Sequence, residues 1–149
     1  MTDPKIGIKD IIKDNWVASN TSSVTPAFST GWYNAESKMP QVTITDSEDT
    51  TLSKGETRYF GIATNGAPAQ YWVGTVSINC WSTREANAVN PKKLIYEMKE
   101  EVKRIIKANY GDVSGLDYIA WHGSFERVDD TVKPVVFRQV GECGYGFLD

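Results

Sequence analysis

The stretch from Gln70 to Tyr110, QYWVGTVSINCWSTREANAVNPKKLIYEMKEEVKRIIKANY, decides the fold of this chain. Its first part alternates between apolar and polar residues, which is typical of a β-strand with one dry and one wet face. Its last part repeats apolar residues at spacings of three and four, which predicts an amphipathic helix. The stretch therefore predicts one long strand, a short break and one long helix.

The predicted helix has clear ends. Asn90 suits the N-cap, and Pro91 suits the first helical position, where its missing N–H has no cost. Asn109 and Gly111 supply the stop signal. The apolar stripe consists of Leu94, Ile95, Met98, Val102, Ile105 and Ile106. We expect this helix to lie over one face of a sheet.

Even-numbered and odd-numbered side chains of the predicted strand lie on opposite faces. Trp72, Val76, Ile78 and Cys80 stand at the mostly apolar even positions, so they predict the face that meets the core. Trp81 falls on the opposite, wetter face. We therefore expect Trp81 to cover a sheet edge or a subunit contact.

The rest of the chain predicts more strands and one short helix. Ile8, Ile12 and Trp16 recur every four residues and predict a short helix within residues 5–18. Segment 46–54, DSEDTTLSK, is acidic and has no apolar period, so it predicts a mobile loop or an arm that orders on a partner. Further strands are predicted at 28–34, 41–45, 57–63, 69–81, 117–127 and 135–148.

Together these elements predict an α+β fold, with a mostly antiparallel sheet flanked by one long and one short helix in a single domain spanning residues 1–149. The net charge of −3 argues against a phosphate-binding surface over the whole molecule. The two cysteines, Cys80 and Cys143, are too few for a metal cluster or a disulfide framework. No leader or membrane span is recognisable, so we expect a soluble intracellular protein without a membrane partner.

The search for chemistry finds no catalytic motif. The one histidine, His122, has no nucleophile elbow beside it, and nothing in the sequence brings it to Cys80. The glycine-rich GECGYG (141–146) lies within a strand and precedes no helix, so it is no dinucleotide fingerprint. We predict no catalytic residue, no cofactor and no metal. One alternative stays open, a small enzyme or ligand-binding site built from Trp121, His122, Arg138 and Glu142.

Four pieces of the sequence carry a family resemblance: PQVTITD (40–46), GTVSINCWS (74–82), NPKKLIYEMKEEVKRII (90–106) and PVVFRQVGECGYGF (134–147). Together with the order of the elements, they resemble the tail terminator (tail-completion) proteins of long-tailed phages and archaeal viruses. The resemblance covers residues 5–148 as a pattern of elements, with no invariant catalytic motif.

The resemblance implies a structural protein of the virion tail, made in the host cytoplasm. It implies a hexameric ring that caps the tail tube, binds the tail tube protein, ends its polymerisation and docks to the head–tail connector protein. DNA would pass through the lumen without specific binding, and helix 91–108 would face outward. The other virion alternative is a neighbouring neck or tail-tube subunit. The residues we expect at a subunit or tube interface are Asp46, Glu48, Asp49, Lys54, Asn65, Trp81 and Arg138.

Overall fold

A computed structural model describes residues 3–34, 36, 38–51, 59–62, 68–83, 90–129 and 136–148, with the backbone alone described for 46–51, 59–62, 68–70 and 129. The helices are α1 (Pro4–Asp14), a short 3₁₀ helix (Ala18–Thr21) and α2 (Pro91–Ala108). The strands are β1 (Ala27–Thr30), β2 (Gln41–Thr51), β3 (Tyr59–Ile62), β4 (Pro68–Thr83), β5 (Tyr118–Asp129) and β6 (Val136–Leu148).

One sheet organises these strands in the order β1-β2-β4-β6-β5, and β3 pairs with β4 outside this path. Only β1 and β2 run parallel within the described sheet, while the other neighbouring strands are antiparallel. The long strand β4 lies at the centre, paired with β2 on one side and β6 on the other. The predicted single-domain α+β fold with a mostly antiparallel sheet is confirmed.

The two helices lie on the same face of the sheet. Helix α2 covers β4, β5 and β6, and α1 covers β1 and β2. The predicted stripe of α2 is buried, and its neighbour Glu101 is buried with it. From α1, Ile8 and Ile12 enter the same core and are fully buried. Burying one such side chain stabilises the fold by about 1.5–3 kcal/mol, which explains how a helix too short to persist alone stays docked.

The alternation predicted for β4 sets the two faces. Val76, Ile78 and Cys80 belong to the core beneath the helices. Because successive side chains of a strand point to opposite faces, Asn79 and Trp81 lie on the other side. We call that side the helix-free face. In β6, the residues opposite Asn79 and Trp81 are Val140 and Arg138, so these too belong to the helix-free face.

Several predicted boundaries are wrong. The short helix expected within residues 5–18 ends at Asp14, so Trp16 lies beyond it. The strand expected at 28–34 ends at Thr30, because the chain turns at Gly31 with a positive φ of 116°. The loop expected at 46–54 is a continuation of β2 as far as Thr51. This acidic segment forms a strand because β4 offers it a ladder: after a register shift between Thr45 and Glu48, pairing resumes with Glu48 opposite Thr75. Pairing with a long partner strand thus outweighs the low β-propensity of this segment.

Candidate functional site

Trp81 is the anchor of the helix-free face. The structure places this side chain on the face of β4 that the sequence predicts. The side chain is not exposed there, however, because other residues of the same chain bury it fully. Its indole N–H donates a hydrogen bond of 2.9 Å to the hydroxyl of Thr43. The rings of Trp32 and Tyr33 lie against it at centroid distances of 5.2 and 5.3 Å. Trp81 therefore positions other groups and presents no surface of its own to a partner.

The segment after β1 folds over this end of the face and brings Trp32 and Tyr33 with it. The side chain of Gln41 fixes the segment from the first position of β2. Its amide nitrogen donates to the carbonyl of Asn34 at 2.6 Å, and its amide oxygen accepts from the backbone N–H of Asn34 at 3.3 Å. Gln41 is buried, and these two hydrogen bonds satisfy both the oxygen and the nitrogen of its side-chain amide.

Arg138 lies next to Trp81 on β6. Its guanidinium carbon is 4.8 Å from the ring centroid of Trp81 and 4.9 Å from that of Trp32, so the group contacts both indoles. It also donates to the side-chain oxygen of Asn79 at 3.4 Å. Aromatic faces attract guanidinium groups by about 0.5–2 kcal/mol. The geometry holds the arginine in one place on a half-buried surface.

A second arginine, which the sequence reasoning missed, stands directly opposite. Arg127 of β5 is the cross-strand partner of Arg138. Its guanidinium carbon lies 4.9 Å from the ring centroid of Phe125, two residues earlier on the same face. The order of residues in β5 shows that Phe125 and Arg127 share a face. Only the pairing of β5 with β6 shows that Arg127 meets Arg138.

These four side chains, Trp32, Phe125, Arg127 and Arg138, form what we call the arginine surface. Both of its outer rings are well exposed, Trp32 by 54% and Phe125 by 44%. Arg127 is exposed as well. Exposed aromatic rings beside arginines are the composition typical of protein–protein interfaces.

The other predicted interface residues lie elsewhere. Asp46, Glu48 and Asp49 are on the extension of β2, where the structure describes the backbone. Lys54 and Asn65 lie outside the described residues. In register, Glu48 is opposite Thr75 in the middle of β4, and Arg138 is opposite Trp81 near its end. The structure therefore separates the predicted interface residues that it describes into two groups.

The far end of the helix-free face carries aromatic rings above glycines. The imidazole of His122 lies over Gly144, and the ring of Tyr118 and the hydroxyl of Tyr71 lie over Gly146. A β-carbon at either glycine would clash with the ring of His122 or Tyr118, so a larger residue there would require that ring to move. Burial, together with the nearby carboxylate of Asp117, raises the pKa of Tyr71.

The structure divides the alternative site near His122 only in part. Glu142 is opposite Gly123, beside His122, and it lies on the same helix-free face as Arg138. Cys80 is on the helix-covered side of β4, whereas His122 is exposed on the helix-free face. Burial raises the pKa of Cys80 to about 12, against a smaller opposing effect of Lys99. Trp121 packs toward the helices over Gly141, away from His122. The sheet therefore separates Cys80 from His122, and it separates Trp121 from the other three residues of the alternative site.

His122 does not line either of two shallow clefts on the described surface. One, of about 310 Å³, lies between α1 and the loop after α2 and is lined in part by Asp10, Asp14 and Asp112. The other, of about 290 Å³, lies between the 3₁₀ helix and α2 beside Tyr96 and Arg104. Among the residues with described positions, no group of three His, Cys, Asp or Glu side chains is placed to hold a metal ion.

Among the helices that the structure describes, none has the length and apolar character to cross a membrane. No protein-family model matches the chain, and no curated protein matches it. The geometry of the helix-free face is thus the main guide to function.

Proposed function

We propose that this chain is a structural protein of the virion tail that caps the tail tube as a ring. In this proposal the ring is a hexamer, ends polymerisation of the tube protein and docks to the head connector. The protein is made in the host cytoplasm, and DNA passes through the ring without specific binding. The proposal makes the chain an assembly protein without catalytic activity.

The observation that carries this proposal is that the helices cover only one face of the sheet. Both helices cover one face, while the opposite face keeps the exposed rings of Trp32 and Phe125 beside two arginines. An antiparallel sheet can leave one face to solvent, but a patch of exposed aromatic side chains favours a protein partner over water. A ring subunit needs such a surface because it must contact its neighbours.

Two further features support the proposal. The α+β fold, with a long helix on one side of a mostly antiparallel sheet, agrees with the architecture that the resemblance implies. In addition, β2 continues to Thr51, although β1 pairs with it only as far as Ile44. The extension carries the acidic segment that the resemblance assigns to contacts with a neighbour or the tube.

Tube capping tests the proposal directly. The purified protein is added to the tail-tube subunit encoded by the same viral genome, and tube lengths are measured by electron microscopy. We expect tubes to stop growing, with one ring of this protein at the closed end. Unchanged tube growth would contradict the proposal. If this protein formed tubes alone, it would instead be a tube subunit, because a heterologous contact that does not close gives a filament.

A neighbouring position in the neck gives a different result in the same assay. A connector subunit would form rings but leave tube length unchanged, so it would bind the head side only. Co-purification with the connector protein in the absence of tubes would favour that position. Binding to tube ends with arrest of growth distinguishes the terminator from it.

A further inference from the structure

Two guanidinium groups of like charge meet on the arginine surface. Arg127 and Arg138 are directly opposite each other on adjacent antiparallel strands, where paired positions have β-carbons about 4.5–5.5 Å apart. Like charges at such a pair disfavour each other. Aromatic contacts with Phe125, Trp32 and Trp81 hold the groups in place. Arginine forks bind carboxylates with two hydrogen bonds, so two adjacent guanidinium groups are a suitable surface for the carboxylates of a partner.

The chain itself contains a segment with the complementary charge. Residues 46–50, DSEDT, contain the three carboxylates of Asp46, Glu48 and Asp49 and no basic residue. We call them the acidic segment. They lie on β2 beyond the residues that pair with β1, which end at Ile44.

Within one molecule the acidic segment and the arginine surface are far apart. Glu48 is opposite Thr75, and Arg138 is opposite Trp81, six residues further along β4. At about 3.3 Å per residue, this separation is about 20 Å along the strand. Glu48 and Arg138 therefore do not meet within one molecule, and a contact between them joins two separate molecules.

We propose that the acidic segment of one copy binds the arginine surface of the next copy. The contact joins two different surfaces, so it is head-to-tail, and repeated head-to-tail contacts close into a ring when the rotation per subunit permits. The proposal rests on the proposed function, since it names the two halves of the contact that builds the ring. It adds Arg127 and Phe125 to the interface.

The charge of the chain favours a second copy, and not nucleic acid, as the partner that binds the arginine surface. The chain has 19 acidic and 16 basic residues, and the exposed Glu142 lies on the same face as the two arginines. Binding to a phosphate backbone usually draws on an extended basic surface. The small excess of acidic residues therefore favours the acidic segment of a second copy as the partner.

The first test is the variant Arg127→Glu, compared with Lys107→Glu as the control. Both replace an exposed cation with an anion, but Lys107 is on α2, away from the helix-free face. Native mass is measured by sedimentation velocity across micromolar concentrations, after thermal unfolding has shown that each variant is folded. We expect Arg127→Glu to weaken self-association at least about tenfold and Lys107→Glu to leave it unchanged.

The second test is a charge swap. A variant with both Glu48→Lys and Asp49→Lys loses the acidic segment and keeps the arginine surface. Alone it should associate as poorly as Arg127→Glu. Mixed with Arg127→Glu it should form complexes again, because the intact acidic segment of one variant meets the intact arginine surface of the other.

Three results would overturn the inference: Arg127→Glu assembling like the unaltered protein, the mixture failing to restore complexes, or the unaltered protein staying monomeric at every concentration. A monomer that binds a labelled single-stranded DNA oligonucleotide through Arg127 would replace it with a nucleic-acid site. A wrong proposed function would give a different result from a wrong subunit contact. In that case the charge swap would restore rings, but those rings would not stop tube growth.

Discussion

Glu101 illustrates how a single charged side chain can organise a buried junction. It is 2% exposed and accepts hydrogen bonds from the backbone N–H of Val17 at 2.7 Å and the amide of Asn20 at 3.1 Å. Arg104, one turn later on α2, donates to both of its oxygens at 2.5 and 3.0 Å. Burial alone would raise the pKa of Glu101, but the hydrogen bonds from Arg104, Val17 and Asn20 outweigh burial and lower it. The carboxylate thereby joins α2 to the segment after α1.

We predict that Glu101→Gln destabilises the protein by about 2–3 kcal/mol, because hydrogen bonds to a charged group are worth about 1.5–3 kcal/mol. Urea unfolding measures the loss. Glu100→Gln is the matched control, since the neighbouring carboxylate is 41% exposed and its salt bridge is with the adjacent Lys99. A partly exposed pair contributes about 1 kcal/mol at most. Equal losses in the two variants would contradict the role of Glu101.

The same comparison has a defined pH dependence. The pKa of Glu101 is lower in the folded protein than its ordinary value of about 4.3 in an unfolded chain. Its contribution to stability is therefore present above that ordinary value and disappears as pH falls through the folded value. The difference in unfolding free energy between the unaltered protein and Glu101→Gln should shrink as the solution is acidified. A difference that stays constant would show that the charge has no part in it.

At the scale of elements, helix α2 depends on a cap that the sequence already reveals. The side chain of Asn90 accepts hydrogen bonds from the N–H groups of Lys92 and Lys93 at 3.0 and 3.4 Å. The buried stripe of the helix covers three strands, so its first turn borders the core. Free N–H groups in that first turn would otherwise rely on water.

We predict that Asn90→Ala lowers the unfolding free energy by about 1 kcal/mol, the usual cost of losing an N-cap. Asn90→Asp keeps an acceptor and adds a negative charge at the helix N-terminus, so it should preserve or slightly increase stability. Thermal unfolding followed by circular dichroism measures both. If Asp were as destabilising as Ala, the side-chain cap could not be what stabilises this end.

At the scale of the whole molecule, the reactivity of the two buried thiols measures how the sheet unfolds. Cys80 on β4 and Cys143 on β6 lie in the same core beneath the helices. Burial raises the pKa of each thiol to about 12, only partly opposed by Lys99 at Cys80 and by a backbone hydrogen bond from Ala120 at Cys143. Both groups are consequently inaccessible and protonated in the folded state.

We predict that a thiol-specific reagent labels both cysteines at the same slow rate, set by global unfolding, because β4 and β6 are adjacent central strands. The measurement is labelling in increasing urea, resolved by mass spectrometry of the two peptides. The fully unfolded protein provides the reference rate. Faster labelling of Cys143 alone would reveal that β5 and β6 open separately from the rest.

The sequence by itself determined the elements with strong local periods. Helix α2 begins and ends where Asn90, Pro91 and Asn109 predict, and the alternation in β4 assigned its two faces correctly. These features could be read because a helix turn or a strand pleat repeats over a few neighbouring residues. The fold class followed from their order along the chain.

The tertiary structure alone decided what happens between distant segments. Nothing local shows that Arg127 meets Arg138, that Trp32 turns back to cover Trp81, or that an acidic stretch is held as strand by β4. Strand register and burial depend on partners far away in sequence, and the packing of those partners outweighs local propensity. For this reason the two surfaces that we expect to join neighbouring copies become visible only when the sheet is assembled.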